Sequence, residues 1–331
     1  GLLAFFISPV ADNLTTALIM GAVVMAVAGT LRTFVVPALI SIVVAANAGG
    51  AFSPFGDITT LMVWQKGMVQ FHEFFALFVP SLVNWVVPAF ILSLTVPTLR
   101  PDAMHEQPKV KTGGFVALGI FGFSIVLAVV MHNQLHLPPM LGMMTGLGLL
   151  MLQGYFIRRV EGDKSPELHF PETGVDPRLF KPRDKPFDIF ISMKRAEWDT
   201  LLFFYGVVLG VGGLGALGYL AGLSGLMYEG MGATTANILV GLLSAVVDNI
   251  PVMYAVLSMN PDMSLGQWLL VTLTAGVGGS LLSVGSAAGV ALMGQARGVY
   301  TFMAHLRWSW AIMLGYIASI FTHLLINASL M

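Results

Sequence analysis

The chain carries Ser8-Pro9-Val10-Ala11-Asp12-Asn13 and, about 236 positions later, Ser244-Ala245-Val246-Val247-Asp248-Asn249. Each stretch sets a carboxylate and an amide in very apolar surroundings. Each is followed by a glycine-broken segment: Gly49-Gly50-Ala51-Phe52-Ser53-Pro54-Phe55-Gly56-Asp57, then Gly278-Gly279-Ser280-Leu281-Leu282-Ser283-Val284-Gly285-Ser286. A buried ionisable side chain in lipid is costly and marks a functional position. Two of them in duplicated, helix-breaking contexts point to an ion site between two structural repeats.

The rest of the chain supplies the lipid setting. Hydrophobic residues make up 56% and charged residues 10% of the 331 positions, against roughly 25% charged in soluble domains. A helix crosses a bilayer in about 20 residues. Spans of that kind are expected at Phe75–Leu99, Phe115–Met131, Met140–Ile157, Leu201–Leu223 and Trp308–Ala328. The predicted fold class is an all-α polytopic membrane protein with inverted repeats, re-entrant hairpins and broken transmembrane helices. The net charge of −1 gives no reason to expect a nucleic-acid partner. The absence of cysteine removes disulfides and thiolate metal sites. The opening Gly1–Ile7 is apolar but has no basic flank, so it is not a signal peptide. Further N-terminal sequence ahead of Gly1 is expected.

Twelve of the sixteen Lys and Arg lie in two loops. One holds Arg100, Lys109 and Lys111; the other holds Arg158, Arg159, Lys164, Arg178, Lys181, Arg183, Lys185, Lys194 and Arg195. Two spans separate them, so both share one side, and the positive-inside rule makes it cytoplasmic. The link His132–His136 then faces outside as a solvated loop. Counting onward gives a hairpin at 226–259 entered from outside, a broken segment at 266–304 and a last span. Counting back gives a hairpin at 1–31 entered from inside, a broken segment at 34–71 and the span 75–99. The order hairpin, broken helix, span thus occurs twice in opposite orientations. The domain reading is 1–99 for the end of the first repeat, 100–112 for a cytoplasmic linker and 113–331 for the second repeat. The loop 158–198, mixed in charge and rich in proline, is a solvated surface segment of that second repeat.

Irregular backbone inside a membrane survives only where protein buries it. Unwinding frees carbonyls, and the C-terminal end of a half-helix carries partial negative charge. Such groups suit a small hard cation such as Na⁺. Asp12, Asp248 and Asp57 are the candidate charged ligands of Na⁺, and Asn13, Asn249, Ser53, Thr15, Ser283 and Ser286 the candidate neutral oxygens. The halves differ in chemistry: Asp57 faces Ser286 in the match, and Thr15 faces Pro251. Asp12 and Asp57 are expected to lie nearer each other than to the second-half motif.

Plainer readings compete. An Asp-Asn at a hairpin turn also forms an Asx-turn or a helix cap. Asp57, ahead of Ile58-Thr59-Thr60, has the form of an N-cap. The glycine pairs Gly142/Gly146, Gly206/Gly210 and Gly218/Gly222 are expected to be helix-packing surfaces. His323 reads as a hydrogen-bonded core histidine, and Glu229 as an interface residue.

These motifs resemble those of the NhaD-type sodium/proton antiporters of the ion transporter superfamily. The likeness rests on Ser8–Thr16, Gly49–Thr60, Ser244–Pro251 and Gly278–Gly294, and extends over the chain. The resemblance implies exchange of Na⁺ or Li⁺ for H⁺ without a resident cofactor. It also implies a bacterial inner-membrane setting, a homodimer of scaffold domains, mobile transport domains and further N-terminal helices.

A carboxylate in a poorly hydrated pocket holds its proton more tightly than in water, so H⁺ and Na⁺ compete for one negative site. An empty charged site is trapped by its own burial cost of several kcal/mol, and obligatory exchange follows. Asp12 and Asp248 are the first candidates for that competition and Asp57 the third. Sodium-coupled organic-anion or arsenite transport is the nearest alternative. It would want cationic contacts near the motifs, which have none in sequence. An intramembrane aspartyl protease is a remote one, since Pro54-Phe55-Gly56-Asp57 lacks the first glycine of the Gly-x-Gly-Asp signature. A passive channel would not need an acid in each half.

Overall fold

The computed structural model describes residues 1–28, 31–96, 113–162 and 198–331. The linker 100–112 and nearly all of the loop 158–198 lie outside the described residues, and with them most of the basic residues used for orientation. Among the described residues the regular structure is helical throughout.

Apolar runs set the helices, and glycine, proline and hairpin acids end them. Helix α1 (Leu2–Ala11) stops at Asp12, whose φ of 55° is left-handed, and α2 (Asn13–Ala28) returns from it. Helix α3 (Arg32–Gly50) ends at the Gly-Gly pair, and α4 (Ile58–Gln65) starts after an irregular turn. A short 3-10 segment, Glu73–Leu77, leads into α5 (Phe78–Ser93). Helices α6 (Gly114–Leu135) and α7 (Met140–Gly162) follow. Then come α8 (Trp198–Ala216) and α9 (Tyr219–Ser224), the latter running on as a π turn, Gly225–Glu229. The second hairpin is α10 (Ala233–Leu243) and α11 (Asn249–Met259). The second broken helix is α12 (Leu265–Gly278) and α13 (Ala287–Gln295). Short α14 (Phe302–Leu306) precedes α15 (Ser309–Ile326).

Among the described residues five helices are long and apolar enough to cross a membrane: Arg32–Gly50, Glu73–Ser93, Gly114–Leu135, Met140–Arg159 and Ser309–Ile326. They place the chain among polytopic membrane proteins. Two sequence expectations need correction. The single span expected at 201–223 is bent by 82° between Ala216 and Tyr219, because Gly218 turns at φ 84°. The expected external loop His132–His136 is mostly helix: α6 runs to Leu135, and His136, at φ 53°, ends it. His323 is a buried core histidine, its Nε2 2.9 Å from the carbonyl of Gly266. Glu229 is exposed.

The chain divides into two compact units, Gly1–Met104 with Leu201–Met331, and His105–Thr200. In the second unit α6 packs on α7. A Cβ on Gly142 would lie 2.5 Å from the Ala128 backbone, and one on Gly146 would strike the Ser124 side chain, so this pair is a packing surface as expected. At the pairs Gly206/Gly210 and Gly218/Gly222 a Cβ meets nothing within 4 Å among the described residues, so no packing contact is seen there.

In the first unit each hairpin packs on its own broken helix, α1 and α2 on α3, α10 and α11 on α12. Matching residues make matching contacts. The Ser8 hydroxyl donates to the carbonyl of Ala46 at 2.5 Å, and the Ser244 hydroxyl to that of Ala275 at 2.7 Å. A Cβ on Gly49 would collide with the carbonyl of Phe5, and one on Gly278 with that of Gly241. Asp57, at φ −151° and ψ 151°, caps α4; Ser286, at φ −145° and ψ 149°, caps α13. The sequence repeat is a structural repeat to the level of single hydrogen bonds. Helix α3 is its buried centre: 72% of its apolar window is buried, against 11% for α6.

Candidate ion site

Asp57 stands where α4 begins, 4% exposed. Its Oδ1 accepts from the backbone N–H of Thr59 at 3.2 Å, the N-cap bond anticipated from sequence. Its Oδ2 accepts from the side-chain amides of Asn13 at 3.0 Å and Asn249 at 2.7 Å. Those two asparagines sit at matching places in the two hairpins, so both hairpins reach one carboxylate oxygen. Three donors and no acceptor surround Asp57, and each hydrogen bond favours the carboxylate over the acid.

Asn47 joins the two breaks. Its Oδ1 accepts from Asn13 at 3.0 Å, and its Nδ2 donates to the hydroxyls of Ser280 at 2.8 Å and Ser286 at 2.9 Å. The result is one buried chain of hydrogen bonds, Asn249–Asp57–Asn13–Asn47–Ser280 and Ser286. Nothing in the apolar stretch around Asn47 marked it in the sequence reading. The signal was present: an amide two residues before Gly-Gly in a membrane helix is too costly to bury without a partner. Ser280, Ser8 and Ser244 were also missed, although all three lie inside the quoted motifs.

The other acids flank this chain. Asp12 is half-buried and engaged locally: the backbone N–H of Thr15 donates to its Oδ1 at 2.7 Å, and the Thr15 hydroxyl to its Oδ2 at 2.9 Å. This is the Asx-turn reading, held on a left-handed backbone that L side chains other than Asn and Asp seldom adopt. Asp248 is also half-buried, but its Oδ1 is fully buried without a hydrogen-bond partner. The hydroxyls of Thr16 and Thr59 are likewise buried and unpartnered. An unpaired buried oxygen costs about 1–3 kcal/mol, more when charged.

Several expected site residues stand outside this network. The Ser53 hydroxyl donates to the carbonyl of Pro9 at 2.7 Å and ties the first break to its hairpin. The Ser283 hydroxyl donates to the thioether of Met293 at 3.3 Å. Thr15 is exposed and serves Asp12. The expectation that Asp12 and Asp57 lie nearer each other than to the second-half motif does not hold for Asp57, which is hydrogen-bonded to Asn249 at 2.7 Å. It takes a hydrogen bond from each half, and the Asp248 charge acts on it more strongly than that of Asp12. The reason is the fold: with matching breaks back to back, the acid of one break faces the hairpin of the other. Nor do Asp12, Asp57 and Asp248 gather into one metal-ligating cluster. Among the described residues no three acids or histidines do.

Chemically, the arrangement offers oxygens in mixed states. The amide nitrogens of Asn13 and Asn249 donate to Asp57, that of Asn13 also to Asn47, while their amide oxygens accept no hydrogen bond among the described residues. Among the described residues no Lys or Arg makes a hydrogen bond to the network; Arg32 donates instead to the carbonyl of Gly298 at 2.8 Å.

The chain is similar to known proteins. Residues 1–276 match a family described as "Citrate transporter". The chain is 58% identical to the Na(+)/H(+) antiporter NhaD of Alkalimonas amylolytica over all of its own length and 69% of that protein's. It is 58% identical to the NhaD of Vibrio cholerae over 99% of its length and 69% of that protein's. It is 30% identical to Sodium/proton antiporter 1 of Arabidopsis thaliana over 99% of its length and 55% of that protein's.

Proposed function

Because the chain belongs to the NhaD-type sodium/proton antiporters, within the family described as citrate transporters, we infer that it exchanges Na⁺ or Li⁺ for H⁺ across a membrane. It is a transporter, not an enzyme, and needs no cofactor beyond the ions it carries. One observation carries our reading of the site: Asn13 and Asn249, one from each hairpin, donate to the same oxygen of Asp57.

The three donors on Asp57 favour its charged form, and burial opposes it. The adjacent unpartnered Oδ1 of Asp248 then needs a positive counterpart, which either a proton or a dehydrated Na⁺ supplies. The free amide oxygens of Asn13 and Asn249 and the hydroxyls of Thr16 and Thr59 are the neutral ligands such an ion would take. Proton and metal cannot both occupy Asp248 Oδ1, so loading one releases the other. With neither bound, two acids face each other in a buried site, and that state is too costly to cross the bilayer. Asp12 lies at the hairpin turn as a second, more accessible carboxylate, suited to receiving the ion from water.

The wider reading rests on the sequence resemblance. Residues 1–99, the C-terminal part of the first repeat, and 113–331, the second repeat, are oppositely oriented by charge bias and motif match and joined by the cytoplasmic linker 100–112; the resemblance adds a homodimer and the bacterial inner membrane. The charge bias of the loops supports the orientation. Transport of an organic anion is disfavoured, since a carboxylate substrate would meet acids and no cation in this site.

The test uses everted vesicles and a pH-sensitive dye. Adding Na⁺ or Li⁺ collapses an imposed pH gradient, and Asp248→Asn and Asp57→Asn each remove the response at normal expression. A response to citrate, with none to NaCl, would reverse the assignment.

A further inference from the structure

His305 is fully buried next to the second break, and no step of the exchange uses it. Its Nε2 lies 2.8 Å from the carbonyl oxygen of Ser280, and its Nδ1 2.6 Å from the Tyr300 hydroxyl. A carbonyl only accepts, so Nε2 carries the proton. A neutral imidazole then accepts at Nδ1, and Tyr300 donates. Four residues on, the Ser309 hydroxyl donates to the next carbonyl, Leu281, at 2.6 Å. Side chains from beyond α13 thus hold two successive carbonyls of the second break.

The first repeat lacks this clamp. Gly67 and Gly298 both turn at φ 76°, and α5 and α15 begin at Phe78 and Ser309, which fixes the match in this region. On that match Phe74 stands for His305, Val69 for Tyr300 and Phe78 for Ser309. Phe74 and Val69 are as buried as their partners and have no side-chain donor. One repeat fills the space with apolar bulk; the other builds a polar grip there.

The grip has a purpose at the ion site. Ser280 is held by its carbonyl from His305 and by its hydroxyl from Asn47. Asn47 in turn orients Asn13, which donates to Asp57. We propose that His305 is a positioning residue: by fixing the Ser280 backbone it holds Asn47 and Asn13 in register and thereby sets the affinity for the transported cation. This rests on the ion-site reading given above. His305 touches neither cation nor carboxylate, so its loss loosens the neutral ligands and leaves the acids in place. The effect therefore falls on the Na⁺ concentration needed, not on the maximal rate.

The test measures the Na⁺ concentration for half-maximal rise in the melting temperature of the purified full chain, and KM and Vmax in everted vesicles. His305→Leu is expected to raise the half-maximal Na⁺ concentration and KM about tenfold, the size of one lost buried hydrogen bond, with Vmax within about twofold. His305→Gln, which restores a donor to the carbonyl, recovers most of the affinity. In a Ser280→Ala background, where Asn47 has already lost that contact, His305→Leu adds less than about twofold, as coupled neighbours require. If His305→Leu does not fold, His305→Phe reproduces the apolar filling of the first repeat and is expected to fold with the same weakened Na⁺ response. Wild-type affinity in both the Leu and Phe variants overturns the proposal, as does a full additional loss in the Ser280→Ala background. A wild-type protein with no Na⁺-dependent stabilisation overturns the ion-site reading and this proposal together. An intact wild-type response with unaffected variants overturns the clamp alone.

Discussion

Asn249 donates its side-chain amide to Asp57 Oδ2 at 2.7 Å, across 192 positions of sequence. This bond ties the hairpin of the second repeat to the break of the first, and it competes with no other donor role for Asn249. Removing the donor leaves Asp57 with Asn13 and the Thr59 N–H. Hydrogen bonds to a charged group are worth about 1.5–3 kcal/mol. Asn249→Ala is therefore expected to weaken Na⁺-driven exchange by about tenfold or more. Asp57→Asn, which removes the charge and turns an acceptor into a donor facing donors, lowers it at least about a hundredfold. Vesicle assays of the two variants at matched expression check the order. Equal activity of Asp57→Asn and wild type would remove Asp57 from the site.

The two hairpin acids are predicted to behave differently, because their surroundings differ. Both Asp12 oxygens bind Thr15, on a backbone at φ 55°. Asp248 Oδ1 has no partner, and its backbone is ordinary, at φ −46°. Glycine accepts a left-handed φ without strain, so Asp12→Gly is expected to keep the fold while deleting the acid. Its melting temperature stays close to wild type and its Na⁺ response falls. Asp248→Asn loses exchange altogether. Full exchange by Asp12→Gly would reduce Asp12 to a turn residue.

Much of this was legible in the sequence because the repeat is chemical as well as helical. Asp-Asn, Gly-Gly and the acid or serine seven residues after the second glycine each recur; the glycines recur as the same close approach and the acid or serine as the same cap, while the two Asp-Asn pairs differ in their contacts. What was not legible is the pairing between repeats. Sequence symmetry places Asp57 opposite Ser286, yet says nothing of which hairpin either one faces. Asn47 and Ser280 are the clearest case: their counterparts are Gly276 and Ala51, so a search for duplicated polar residues passes over them. The bend at Gly218 was hidden for another reason. Apolar residues run through it without interruption, and a single glycine within a membrane helix is more often a contact than a corner.

Competition for one carboxylate fixes the sign of the pH dependence. Lowering the pH protonates the site and excludes Na⁺, as for any metal whose ligand must be deprotonated. Over the range where the site is mostly protonated, the apparent KM for Na⁺ is expected to rise about tenfold for each unit of pH decrease, while Vmax at saturating Na⁺ changes little. The measurement is KM and Vmax at about pH 5, 6 and 7 in vesicles clamped on both faces. A pH effect confined to Vmax would mean that the ions do not share a ligand.

The last prediction separates the glycines that build the site from those that do not. A Cβ on Gly49 or Gly278 would run into the carbonyl of Phe5 or Gly241 in the hairpin packed against it. Backbone does not yield as a side chain does, and overpacking costs typically about 1–3 kcal/mol. Gly49→Ala and Gly278→Ala are expected to push each hairpin off its break, moving Asn13 or Asn249 away from Asp57. Both variants lose thermal stability and Na⁺ affinity together. Gly206 and Gly210 have open space at the same distance, and alanine there relieves the helix of glycine's entropy, worth about 0.4–1 kcal/mol where the backbone is compatible. Gly206→Ala and Gly210→Ala should therefore melt at or above the wild-type temperature with unchanged KM for Na⁺. Melting curves and exchange assays on the four variants decide the matter, and a tolerant Gly278→Ala would deny that the hairpin and break must touch for the site to form.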